Sequence, residues 1–212
     1  MQSTHSSDIP TIILVGGQSR RLQLNSRYKW QLPFGDQDLL TYIINKIQKQ
    51  TDTVLLNGPN TPIPALSNYA LPIIGDLEKD YQGPLAALLS CLHWGYYNHQ
   101  PWLATIACDT PFFPDNLLEY LFLEQQQSHA LALIASSDRL HPVFGLWSSS
   151  LYPSLHKWFA TEANRSLHYW SKQVATKLGF LRQHKDVDPF FNINTESDYQ
   201  QALTHRGLGG LS

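Results

Sequence analysis

Hydrophobic positions along this chain follow two alternating patterns, short continuous runs and longer stretches at helical spacing. Residues 11–15, TIILV, are β-branched and apolar and are closed by Gly16 and Gly17, the pattern of a strand buried on both faces. After a loop, Leu39, Leu40, Ile43, Ile44 and Ile47 recur at the spacing of one helix face, and residues 53–56 read as the next strand before a turn at Asn57, Gly58 and Pro59. The cycle repeats. Residues 71–74 predict a strand, 84–94 a helix with Pro84 in its first turn, and 102–107 another buried strand. Residues 114–124 follow as a helix, then 130–135 and 143–147 as strands, the second preceded by His141 and Pro142. Further on, 150–159 and 165–177 read as helices and 179–181 and 190–193 as extended; Thr195 opens a last helix, with Asp198 placed to complete a capping box.

Strands alternating with helices imply a three-layer α/β domain around a mostly parallel sheet. No repeat interrupts the pattern, and 212 residues suit a single domain over 1–212, with 1–10 and 206–212 as expected flexible ends. In such sheets ligands collect outside the carboxyl ends of the strands. Those ends are Gly16 to Arg21 after the first strand, Asn57 after the second, Gly75 and Asp76 after the third, and Asp109 after the fourth.

Composition narrows the function classes. Hydrophobic residues are 42% and charged residues 15%, which suits a packed core and not a disordered chain. A net charge of −2 provides no global field for nucleic acid. Cys91 and Cys108 are too few for a disulfide framework, and neither a signal peptide nor a membrane-length apolar stretch is evident, so a soluble cytoplasmic protein without membrane partners is expected.

Charge is distributed unevenly. Arg20, Arg21, Arg27 and Lys29 form a basic island without an acid, just where a glycine pair leaves the first strand. Glycine lets the main chain approach an oligophosphate, and cations neutralise it, so this loop is a candidate phosphate grip; a solvated turn would explain the glycines alone. The loop is neither a Walker-type motif nor G-x-G-x-x-G, and Ser19 lacks the second glycine of a hydrolase elbow. No histidine falls in an H-E-x-x-H pattern. Asp109, after a buried strand and before Pro111, suits Mg²⁺, which prefers one or two carboxylates with water and phosphate oxygens; capping the strand exit is its ordinary alternative. Asp76 stands at an analogous exit.

LVGGQSRR with Lys29, then Asn57, GDLEKDYQGPLAAL, ACDTPFF, the His141 and Pro142 pair, and NINTESD occur in an order that resembles the molybdenum cofactor guanylyltransferase family, also called molybdopterin-guanine dinucleotide biosynthesis protein A, within the nucleotidyltransferase superfamily. The resemblance runs from about Ile12 to Ala202. It implies a three-layer Rossmann-like nucleotidyltransferase fold and transfer of GMP from GTP to the terminal phosphate of molybdopterin, with Mg²⁺ and release of pyrophosphate. By this likeness Leu14, Val15, Gly16 and Gly17 line the nucleotide and Asn57 and Asp76 hold the guanosine. Arg21, Lys29 and Asp109 are catalytic, with Lys29 on phosphate and Asp109 on nucleotide and metal. Residues 80–84 match a signature near the nucleotide, and His141, Asn192 and Asn194 fall on the side of the second substrate. Molybdenum-insertion and acceptor proteins are the implied protein partners.

The chain departs from the family pattern in the loop. Leu22 and Gln23 follow Arg21 where the family has Met-Gly, Tyr28 replaces the acid before the lysine, and the interval to Lys29 is longer than usual. One alternative follows from this, a nucleotide-binding or regulatory relative without turnover; a second, a cytidylyl- or sugar-phosphate nucleotidyltransferase of the same fold, stands because base choice is decided by edge hydrogen bonds that residue order does not place.

Overall fold

A computed structural model describes residues 5–16, 28–59, 63–78, 83–179 and 187–208. Along the chain, β1 (Thr11–Leu14) is followed by a small hairpin of β2 (Pro33–Phe34) and β3 (Gln37–Asp38), α1 (Leu39–Ile47), β4 (Val54–Gly58) and β5 (Ile73–Gly75). Next come α2 (Pro84–Tyr97), β6 (Trp102–Ala107), α3 (Leu117–Ser128), β7 (Ala132–Ser136) and β8 (Leu140–Ser148). Then α4 (Tyr152–Thr161), α5 (Leu167–Val174), β9 (Thr176–Gly179) and α6 (Glu196–Leu208) complete the chain. Among the described residues seven strands form one sheet in the order β5-β4-β1-β6-β8-β7-β9, in which β8 alone runs against the others. The mostly parallel, three-layer α/β architecture expected from the sequence is therefore present.

Each face of the sheet has its own core. Ile13 and Val15 point toward α1, α3 and α6, whose Leu40, Ile43, Leu117, Leu121 and Ala202 are buried with them. Ile12 and Leu14 point the opposite way, onto α2, α4 and α5 through Leu88, Leu92, Leu155 and Trp170. This alternation follows from the two-residue period of a strand, and burial on both faces explains why β1 reads as an unbroken apolar run. α2 is buried along most of its length, from Leu85 to Leu92. No described helix is long and apolar enough to cross a membrane.

Several boundaries differ from expectation, each for a physical reason. β4 does not stop before Asn57: the Val15 N–H donates to the Asn57 carbonyl at 2.9 Å, and β1 draws the strand on through Gly58. His141 and Pro142 lie inside β8, because that strand begins at Leu140 with an irregular register opposite Ile134 and Ala135. α3 starts at Leu117, after a turn in which the Pro114 carbonyl accepts from Leu117 N–H at 3.3 Å and Gln50 Nε2 at 3.0 Å. α5 ends at Val174 because Ala175 is extended and the chain then pairs beside β7 as β9. Residues 190–193 join no sheet; they form irregular backbone against the strand ends. At the two ends, Ile9 and Pro10 are buried, the Asp52 N–H donates to the Ser7 carbonyl at 3.0 Å, and α6 continues through Arg206, whose guanidinium lies 3.3 Å from Asp36.

Candidate nucleotidyl-transfer site

The chain builds outward from β1 to β4 and β5, then crosses to β6 on the other side, so β1 and β6 flank a topological switch point, the place where open α/β sheets bind ligands. Register fixes which residues meet there. Leu14 pairs with both Asn57 and Ala107, and Asn57 pairs with Ile74, so the residues just beyond this row share one edge. Leu14 and Val15 are buried in the two cores, and their side chains are committed to packing. Gly16 is exposed, and a Cβ built there would meet nothing within 4 Å. Packing therefore does not demand glycine at that position.

Lys29 and Asp109 meet at this edge. Lys29 Nζ donates to Asp109 Oδ2 at 2.7 Å and to Asn194 Oδ1 at 3.0 Å. The two charged side chains are only 15% and 17% exposed, so the pair is more than a solvated surface contact. Beneath them the Ile193 N–H donates to the Asp109 carbonyl at 2.9 Å. Asp198 then accepts from the N–H groups of Asn194 at 2.9 Å and Thr195 at 2.8 Å, while Thr195 Oγ1 accepts from the Asp198 N–H at 3.1 Å. This is the expected reciprocal cap of α6, and it fixes the backbone that carries Asn194. Tyr28 stacks on the buried Trp30, with centroids 5.1 Å apart and planes 9° apart.

On the β4 side Asn57 is buried, and its amide donates to the Ile74 carbonyl at 3.1 Å and to Asp76 Oδ1 at 3.2 Å. Burial pushes the Asp76 carboxyl above the usual range, partly opposed by the bond from Asn57. Across the sheet, the reversed direction of β8 brings its first residues to the same edge. His141 Nε2 lies 3.0 Å from Ser137 Oγ, and its ring stacks on Phe190 with centroids 4.5 Å apart. Ser137 also donates to Asp188 Oδ1 at 3.3 Å. The stretch 188–195 thus runs from the His141 cluster to Lys29, with the buried Asn192 Oδ1 between them and without a hydrogen-bond partner among the described residues.

Comparison with known proteins places this arrangement in a family. Residues 11–176 match the MobA-like NTP transferase domain. The chain is 32% identical over 199 residues to the molybdenum cofactor guanylyltransferase of Brucella ovis, covering 90% of this chain and 89% of that protein. The chain belongs to the MobA-like NTP transferase family. The family's fold is evident in the molybdopterin-guanine dinucleotide biosynthesis protein A of Archaeoglobus fulgidus, with a TM-score of 0.76 at 23% identity over 94% of this chain and all of that one. It extends to the 4-diphosphocytidyl-2C-methyl-D-erythritol synthase of Anaerococcus prevotii, with a TM-score of 0.67 at 13% identity over 95% and 97% of the two chains.

In this MobA-like transferase, sequence reasoning singled out Gly16, Lys29, Asn57, Asp76, Asp109, His141, Asn192 and Asn194, and the structure sets all of them along one sheet edge or against it. Gly17, Arg21 and the rest of the basic loop to Arg27 lie outside the described residues, as do 80–82 of the DYQGP stretch. Ser137 and Asp188 went unnoticed, since only tertiary folding brings a serine after β7 to an aspartate some fifty residues later. Both cysteines are buried, and burial raises their thiol pKa values, which keeps them protonated and inert.

Proposed function

We propose that this transferase moves GMP from GTP to the terminal phosphate of molybdopterin or the molybdenum cofactor. The observation that carries the reading is the junction of Lys29 with Asp109 and Asn194 beside the open Gly16 backbone. The name borne by the Brucella relative supplies the substrates. An oxygen of the acceptor's phosphate forms the new bond to the α-phosphorus of GTP. The bond from that phosphorus to the bridging oxygen breaks, and its electron pair leaves with pyrophosphate. No general base is needed, because a phosphate monoester has a second pKa near 6 and is mostly ionised at pH 7.

Repulsion between the reacting anions is the main obstacle. Unit charges about 4 Å apart interact by roughly 4 kcal/mol at an effective dielectric of 20, so neutralisation and in-line placement matter most. Lys29 supplies one charge; Gly16, Gly17 and Arg21 complete the proposed phosphate grip. Asp109 suits Mg²⁺, since it offers a partly accessible carboxylate at the strand exit. Bound there, the ion would add positive charge to the triphosphate and the leaving group. Asn57 and Asp76 hold the guanosine, with Leu14 and Val15 contributing backbone, while His141, Asn192 and Asn194 face the acceptor.

Pyrophosphate release from GTP, Mg²⁺ and molybdopterin tests the reading. Product that depends on all three supports it; GTP binding without product contradicts it. Equilibrium binding of GTP, CTP and ATP tests the base, since edge hydrogen bonds decide that choice.

A further inference from the structure

We infer that Ser137 and Asp188 are positioning residues for His141, fixing its proton on Nε2 so that Nδ1 offers a hydrogen-bond acceptor to an N–H of the second substrate's pterin ring. The identity of that substrate rests on the guanylyltransferase reading; the state of the imidazole does not.

The direction of the hydrogen bonds carries the argument. Asp188 Oδ1 accepts from the Phe190 N–H at 2.9 Å and from the Ser137 hydroxyl at 3.3 Å. A carboxylate only accepts, and a serine hydroxyl has one proton to give. Because a charged acceptor makes the stronger bond, that proton goes to Asp188. The 3.0 Å contact between Ser137 Oγ and His141 Nε2 must then be made with the imidazole as donor. In a neutral ring the lone pair is left on Nδ1, which makes no hydrogen bond among the described residues. Burial lowers the pKa of His141, with Arg139 acting the same way and Asp188 and Asp138 opposing, so the ring is neutral near pH 7.

Packing holds the ring in place. Phe190 lies against it at a 29° interplanar angle, and the irregular pairing of β7 with β8 re-aims His141 next to Ser137 and the sheet edge. The stretch that supplies Asp188 and Phe190 ends at Asn194 on Lys29. An acceptor whose phosphate reaches Lys29 would therefore lay its ring along this stretch toward His141. A pterin carries amide and amino N–H donors; a fixed acceptor nitrogen selects for them, and a ring presenting only carbonyl oxygen there would leave it unpaired.

Nitrogen NMR of histidine-labelled full-length protein at pH 7.5 tests the inference. His141 is expected to show a protonated Nε2 and a lone-pair Nδ1, and titration with a pterin bearing a 6-alkyl phosphate should shift the Nδ1 signal while guanosine leaves it in place. In steady-state assays Ser137→Ala should raise KM for molybdopterin about fivefold with KM for GTP unchanged, and Ser137→Thr should restore it. A proton on Nδ1 in the wild type, an Nδ1 signal indifferent to the pterin, or a KM change shared equally with GTP would overturn it. Failure to release pyrophosphate from any GTP and molybdopterin mixture would instead contradict the functional reading and leave the NMR result to decide this one.

Discussion

Lys29 Nζ stands 2.7 Å from Asp109 Oδ2, a contact between side chains 80 residues apart in the chain. Asp109 follows β6 directly, whereas Lys29 lies just before β2, so the contact joins the end of a central strand to the start of the small hairpin. Lys29→Ala removes the cation expected on the phosphates. GTP affinity should fall about tenfold or more, as for the loss of a charge-assisted hydrogen bond, while guanosine affinity stays near the wild-type value. Calorimetric titration of both ligands checks this, and parallel losses for the two would contradict it.

Asp109→Asn keeps the shape and still offers Lys29 an acceptor oxygen, but removes the negative charge. Turnover should fall about a hundredfold or more, whereas stability should change by roughly 1–2 kcal/mol, seen as a shift of a few degrees in Tm. Pyrophosphate release measured beside a thermal melt separates the two effects. Near-normal turnover with an intact melt would remove Asp109 from the mechanism.

Asp76 titrates in the opposite sense to a salt-bridged carboxylate. Burial raises its folded-state pKa, so the ionised form opposes folding: its contribution is most favourable below the unfolded value near 3.9 and is lost as pH rises through the raised one. Asp76→Asn should therefore melt no lower than wild type at pH 7.5, with any advantage vanishing toward pH 4, and yet bind GTP more weakly. Melts across that range, paired with GTP titration, decide the matter.

Much of the fold was legible because its strands are buried on both faces, which turns residues 11–15 and 102–107 into unmistakable apolar runs. The site was legible only in part. Asp109 and Gly16 could be placed from strand exits alone, but nothing in the order of residues shows Asn194 bonding to Lys29, or Asn57 continuing as strand. Local turn chemistry argued against the latter, and pairing with β1 overrode it. His141 was noticed, yet its partners Ser137 and Asp188 depend on a reversed strand with irregular register, which no periodicity announces. The tail of α5 was misread because its helical spacing carries on into residues that the sheet edge claims.

Asp198 links helix stability to the site. Its carboxyl is pushed up by burial but held below the usual range overall by the N–H groups of Asn194 and Thr195, the Thr195 side chain and Lys29. Asp198→Ala should cost about 1 kcal/mol, as for a lost N-terminal cap. That difference should be complete above pH 4 and shrink as pH falls further, because a depressed carboxyl pKa gives stability that acid removes. Chemical denaturation at pH 7 and pH 3 checks the sign.

The central claim is that the positive charge of Lys29 and the carboxylate of Asp109 act together on the triphosphate. A crystal structure with GTP and Mg²⁺ measures this directly. The account predicts Lys29 Nζ within hydrogen-bonding distance of a phosphate oxygen and Asp109 on the metal, at the exposed backbone of Gly16. A triphosphate bound elsewhere, with the Lys29–Asp109 contact undisturbed at 2.7 Å, would contradict it.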